Sequence, residues 1–195
     1  MIPELGAQVP QRAGALLRAL GRAVLWLLGW RVLGRFPDVP KCVVILAPHT
    51  SNWDFVIGIA TVFALGLRIR YLGKHSLFRF PFGALLRATG GIPVDRSAAE
   101  GVVGRAVEKV KSEERIFLAI APEGTRKRVE QWKSGYHRIA TGAGVPILPA
   151  ALDYSRKAVV LMELFQPTGA HDKDEAALRS LFKAGMARHP DAYHE

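Results

Sequence analysis

Three short runs, Lys41 to Ala47 (KCVVILA), Arg115 to Ala121 (RIFLAIA) and Val145 to Leu152 (VPILPAAL), are apolar without alternation. A strand with one wet face alternates polar and apolar residues, so a continuous run points to a strand covered on both faces. Ile69 to Gly73, Gly90 to Val94 and Val159 to Leu164 are further strand candidates. Between them lie segments of helical character: the all-apolar Phe55 to Leu67, a short helix broken around Pro81 (76–88), 98–111 with a stripe of Val102, Val103, Ala106, Val107 and Val110, then 130–143 and 174–188. Strand and helix in alternation predict an α/β fold with a mostly parallel central sheet flanked by helices. The 195 residues suffice for one such domain.

The expected division is a helical N-terminal segment, 1–36, followed by the α/β domain, 37–195. Residues 13–33 (AGALLRALGRAVLWLLGWRVL) are apolar but interrupted by Arg18, Arg22 and Arg31. Their longest charge-free piece, Ala23 to Trp30, is far short of the ~20 residues a spanning helix needs. At about 100° per residue, Arg18 and Arg22 share one side, opposite Leu16, Leu17, Leu20, Val24, Leu27 and Leu28, with Trp26 and Trp30 near the border. This pattern predicts an amphipathic helix lying on an anionic membrane surface. The alternative is a helix that packs its leucines on the core. Residues 1–11 lack the basic start and apolar stretch of a cleavable signal.

Lys and Arg number 27 against 17 Asp and Glu, a formal charge of +10 that calls for an anionic partner or serves only solubility. No zinc-finger spacing or aromatic ribonucleoprotein motif accompanies the charge, so nucleic acid is not the expected partner. Cys42 is the only cysteine, which leaves no internal disulfide and fits a reducing compartment. Six histidines are scattered without ligand spacing, and no metal is expected.

Four stretches leave the ends of strand candidates, where open α/β sheets bind their ligands. The first is His49-x4-Asp54. Histidine is the commonest general base near neutral pH, and a carboxylate on its other ring nitrogen improves it. A helix-capping Asp54 beside an incidental histidine is the plainer alternative. The second is Pro122-Glu123-Gly124-Thr125-Arg126, where a hydroxyl, amides beside a glycine and a guanidinium suit a phosphate oxyanion. A polar turn with Arg126 paired to Glu123 would look the same. The third is Gly90 to Arg96 (GGIPVDR), and the fourth is Lys74. Single cations of this kind are most often solvated surface.

Taken in order, His-x4-Asp, Lys, Gly-x-Ile-x-x-x-Arg, Pro-Glu-Gly-Thr-Arg and Val-Pro-Ile resemble the glycerolipid acyltransferase family, which includes the 1-acyl-glycerol-3-phosphate acyltransferases. The resemblance spans residues 41–152. It implies that His49 is the catalytic base and Asp54 the carboxylate that orients it. Arg96 and Lys74 are implied to hold the acceptor's phosphate. Glu123, Gly124, Thr125 and Arg126 are linked to acceptor binding and site architecture, and Val145-Pro146-Ile147 to the acyl side of the site and to packing. Pro48 and Pro93 depart from the family's usual residues, which bears on the acceptor.

The implied reaction moves an acyl group from acyl-CoA or acyl carrier protein to a lysophospholipid such as 1-acyl-glycerol-3-phosphate, with no cofactor. The expected location is peripheral, on the cytoplasmic face of the membrane. Leu77, Phe78, Phe80, Phe82, Leu85 and Leu86 offer a second apolar contact with a bilayer, or plain core packing. A different lyso-lipid acceptor, or a non-enzymatic module that binds membrane surfaces, are the alternatives.

Overall fold

The computed structural model describes residues 2–12, 14–95 and 99–195. Among them, seven strands form one sheet in the order β1-β7-β6-β2-β5-β3-β4. In chain order these are β1 (Arg31–Leu33), β2 (Lys41–Ala47), β3 (Ile69–Lys74), β4 (Gly91–Val94), β5 (Ile116–Ile120), β6 (Ile147–Asp153) and β7 (Ala158–Leu161). The five strands β6, β2, β5, β3 and β4 are mutually parallel, β7 returns antiparallel to β6, and β1 pairs parallel with β7. The α/β expectation is met, with a short antiparallel flank added at one edge.

The unbroken apolar runs belong to the central strands because both faces of the sheet are covered. Along β2, Cys42 and Val44 face a core with Phe117, Leu148 and Leu152, packed under α1 (Ala15–Leu27) and α2 (Trp53–Leu65). Val43 and Ile45 face the opposite core with Leu118 and Ile147, under α4 (Ala99–Ser112) and α5 (Gly135–Ala143). Each such side chain contributes roughly 1.5–3 kcal/mol on burial. The helix broken at Pro81 is a 3-10 turn over His75–Phe78 followed by α3 (Gly83–Ala88).

The N-terminal segment is built into this domain. Gly21 of α1 lies so close to α2 that a Cβ there would run into the Ala64 amide and the Ala60 carbonyl. Leu25 and Gly21 are buried, and Leu17, Val24 and Leu28 half-buried, on the side facing α2. Leu16, Leu20, Trp26 and Leu27 remain exposed, between 52% and 82%. The single apolar arc expected for this helix is therefore divided into an inner and an outer face. Trp30, expected at a membrane border, is buried and begins the approach to β1.

Two helices are shorter than expected. Residues 130–134 are pulled out of helical geometry because the Trp132 amide donates to Glu175 Oε1 (2.8 Å) and the Lys133 amide to the Pro122 carbonyl (2.9 Å). The C-terminal helix is α6 (His171–Arg179), and the chain continues in 3-10 turns over Ala184–Met186 and Pro190–Ala192. That tail turns back toward the carboxyl edge of the sheet, where the Tyr154 amide donates to the Met186 carbonyl (2.8 Å).

Candidate active site

The carboxyl ends of β2, β5, β3 and β4 open side by side on one edge of the sheet, and they bear the residues singled out above. His49 follows β2, Glu123 to Arg126 follow β5, and Lys74 is the exposed last residue of β3. Arg96, two residues beyond β4, lies outside the described residues.

After β2 the chain passes a cis Ala47–Pro48 peptide and then starts α2 at Trp53, whose first turn contains Asp54. Nδ1 of His49 stands 3.1 Å from Oδ2 of Asp54. The contact is close but not well aimed: His49 Nδ1 is buried without a well-directed hydrogen-bond partner. Catalytic hydrogen bonds often tighten only when substrate binds. The His49 side chain is 23% exposed and reachable from solvent, whereas Asp54 is fully buried. Oδ2 of Asp54 accepts the amides of Thr50 and Ser51, both at 2.9 Å, and Oδ1 accepts the Tyr154 hydroxyl at 2.6 Å. Burial alone would push this carboxyl's pKa up; the close His49 imidazole and the hydrogen bonds from Tyr154 and Ser51 outweigh it and hold the pKa below the ordinary value. Asp54 is thus an anion with a fixed orientation.

The second motif supports the first from beneath. Glu123 is buried, and its carboxylate accepts the His49 amide through Oε1 (3.0 Å) and Oε2 (3.2 Å). Gly124 supplies the left-handed turn at φ 66°, and the Lys133 stem crosses it where a Cβ would stand. The Gly124 amide donates to the Ala121 carbonyl at 3.0 Å, so it is committed to the turn. Arg126 donates from Nη1 to Asn52 Oδ1, which joins this turn to the His49 loop. The Arg126–Glu123 pair considered from sequence is not formed: Glu123 faces inward to His49, and Arg126 faces the α2 entrance. Thr125 Oγ1 accepts the Lys127 amide at 3.3 Å and closes the turn.

Val145 to Ile147 stands elsewhere. Ile147 pairs with Val43 at the start of β6, and the Val43 amide donates to the Pro146 carbonyl at 3.0 Å. The stretch is packed at the amino edge of the sheet, away from His49, so only the packing half of its expected role fits its position.

Sequence reasoning missed the tail and Tyr154. The His189 amide donates to Thr50 Oγ1 (3.2 Å), and the Arg188 guanidinium lies over the rings of Trp53 (5.4 Å) and Tyr154 (5.9 Å). No local pattern marks these residues, because their relation to the site exists only after the sheet has assembled.

The sequence model of the Acyltransferase family matches residues 36–153, more than half of the chain. The chain belongs to the Acyltransferase family. The matched span holds the His49–Asp54 pair, Lys74, Arg96 and the Glu123–Arg126 turn. Relatives include the 1-acyl-sn-glycerol-3-phosphate acyltransferases of Borreliella burgdorferi, 34% identical over 70% of this chain and 57% of that one, and of Haemophilus influenzae, 29% identical over 78% of this chain and 65% of that one. This acyltransferase-family chain spans about half to two thirds of the length of the curated relatives it matches. Among solved structures, the 1-acyl-sn-glycerophosphate acyltransferase PlsC of Thermotoga maritima has a similar fold, with a TM-score of 0.62 over 87% of this chain and 77% of that one at 19% identity.

Proposed function

We propose that the protein transfers an acyl group from a thioester, acyl-CoA or acyl carrier protein, to the free hydroxyl of 1-acyl-glycerol-3-phosphate, giving phosphatidic acid. The observation that carries this reading is the His49 imidazole, reachable from solvent, set 3.1 Å from a buried and fully hydrogen-bonded Asp54 in a chain of the Acyltransferase family. A surface-binding module has no use for such a pair.

His49 removes the acceptor's hydroxyl proton as that oxygen attacks the thioester carbonyl. The C–S bond of the tetrahedral intermediate then breaks, and the same proton passes to the departing thiolate. Asp54 holds the imidazole in the tautomer with a proton on Nδ1 and stabilises the imidazolium, as in a serine-protease triad. Acid–base help of this kind is typically worth about 10²–10⁴-fold. Arg126, Lys74 and Arg96 are the cations proposed to hold the acceptor's phosphate.

Direct transfer, without an acyl-enzyme, fits the neighbouring hydroxyls. Ser51 Oγ accepts the Trp53 amide at 3.2 Å and Thr50 Oγ1 accepts the His189 amide, and both residues are buried. The outer face of α1 and the exposed Leu77, Phe80, Phe82 and Leu85 are the proposed contacts with an anionic membrane, where both lipids reside. Among the described residues no helix is long and apolar enough to cross a membrane.

The deciding experiment is an acceptor screen with one labelled acyl-CoA, comparing wild type with His49→Ala. Labelled phosphatidic acid should form with wild type and fall by at least a hundredfold in the variant. Thiol release that no lysophospholipid accelerates would instead mark a thioesterase.

A further inference from the structure

Asp54 is held by a donor that neither family motif supplies. Tyr154 follows the last residue of β6, and β6 borders β2 with Ala151 opposite Ala47. The sheet therefore delivers a phenol from 100 positions away to the entrance of α2, where its hydroxyl donates to Asp54 Oδ1 at 2.6 Å. The ring is fixed on two sides: its centroid lies 4.9 Å from that of Trp30, edge-on, and the Arg188 guanidinium stands 5.9 Å from it. Burial, then the hydrogen bond to Asp54, push the phenol's pKa well up, so it stays protonated and can only donate to the carboxylate.

The torsion that turns a carboxylate about its own axis is soft. The Thr50 and Ser51 amides resist that rotation from Oδ2 alone, and the Tyr154 hydroxyl adds a restraint on Oδ1, the opposite oxygen. We propose that Tyr154 is a positioning residue for the transfer reaction: by holding Oδ1 it fixes the plane of the Asp54 carboxylate and keeps Oδ2 turned to Nδ1 of His49, while Arg188 keeps the phenol in place. The inference rests on the acyl-transfer reading. Tyr154 touches no reacting atom, so its loss acts on kcat and leaves substrate affinity alone.

The test uses the full chain with Tyr154→Phe, which keeps the ring on Trp30, and Arg188→Met, which keeps Tyr154 but frees it. Steady-state kinetics with acyl-CoA and lysophosphatidic acid are paired with the downfield proton resonance of His49 Nδ1, assigned by its absence in His49→Ala. In Tyr154→Phe, kcat should fall at least tenfold, the size of one charge-assisted hydrogen bond. Both KM values should stay within twofold, and the resonance should move or vanish. Arg188→Met should shift both readouts the same way by a smaller amount, and decides the matter if Tyr154→Phe does not fold. A kcat within twofold of wild type, or an unmoved resonance, overturns the proposal. If wild type transfers no acyl group, the proposed function fails, and the resonance alone decides whether Tyr154 orders the pair.

Discussion

Glu123 accepts the backbone amide of His49 through both carboxylate oxygens, at 3.0 and 3.2 Å, across 74 residues of chain. The bond fixes the His49 loop from below and explains why the acidic residue of the Glu123–Arg126 turn faces inward. Burial raises its pKa from 4.5 to about 7, only partly opposed by the His49 amide.

Because the folded pKa is the higher one, the native protein binds this proton more tightly than the unfolded chain. The associated stability is fully present below pH 4.5 and is lost as pH rises through about 7. Glu123→Gln keeps an acceptor for the His49 amide and removes the titration. The stability of wild type minus that of Glu123→Gln, from urea unfolding, should fall by roughly 3 kcal/mol between pH 4 and pH 8. A flat difference would show that Glu123 ionises as an ordinary surface carboxylate.

Asp54→Asn presents an amide NH2 to a pocket that otherwise contains donors: the Thr50 and Ser51 amides and the Tyr154 hydroxyl. At least one buried donor loses its acceptor, at a cost of about 1–3 kcal/mol, and the imidazole loses its counter-charge. Thermal unfolding should shift down, and kcat should drop on the order of 10³-fold or more. Retention of more than a tenth of wild-type kcat in a folded Asp54→Asn protein would remove Asp54 from the mechanism.

Arg126 is tied to Asn52, three residues from His49, so its charge stands at the mouth of the site. Arg126→Ala should lower kcat/KM for the phosphorylated acceptor by about 10- to 100-fold, the worth of a hydrogen bond to a charged group. The KM for the acyl donor should change less than twofold. If donor and acceptor terms fall together, Arg126 shapes the loop and does not grip the acceptor.

What was legible in the sequence follows from which forces are local. The runs in β2, β5 and β6 could be read because a strand covered on both faces must be apolar at every position, and Val43 and Val44 on opposite faces of one strand show why. β1 could not be read: it has three residues, only Val32 is buried, and its pairing with Ala158 to Val160 depends on a turn more than a hundred residues away. His49, Asp54 and Glu123 are legible because each lies in a short local motif, and the order of those motifs resembles that of the family. Tyr154 and Arg188 were not, because only the assembled sheet and tail bring them to Asp54. On α1, periodicity counted apolar residues correctly but could not divide them between two faces; Gly21, which allows the close crossing with α2, is the residue that does so.

That division separates membrane binding from folding by experiment. Replacing Leu16, Leu20, Trp26 and Leu27 with Ser alters only the outer face, where substitutions usually change stability by about 0.5 kcal/mol or less each. The quadruple variant should unfold near the wild-type temperature yet lose most of its sedimentation with anionic vesicles, since four large apolar side chains no longer enter the interface. Gly21→Ala should do the reverse. Its methyl meets the Ala64 amide and the Ala60 carbonyl, forcing α1 off α2 at a cost of about 1–3 kcal/mol, with vesicle binding retained by whatever protein stays folded. Deleting 1–36 would confuse the two effects, because Leu25, Trp30 and Val32 are core residues. Undiminished sedimentation of the quadruple variant would assign the outer face of α1 no part in holding the protein to lipid.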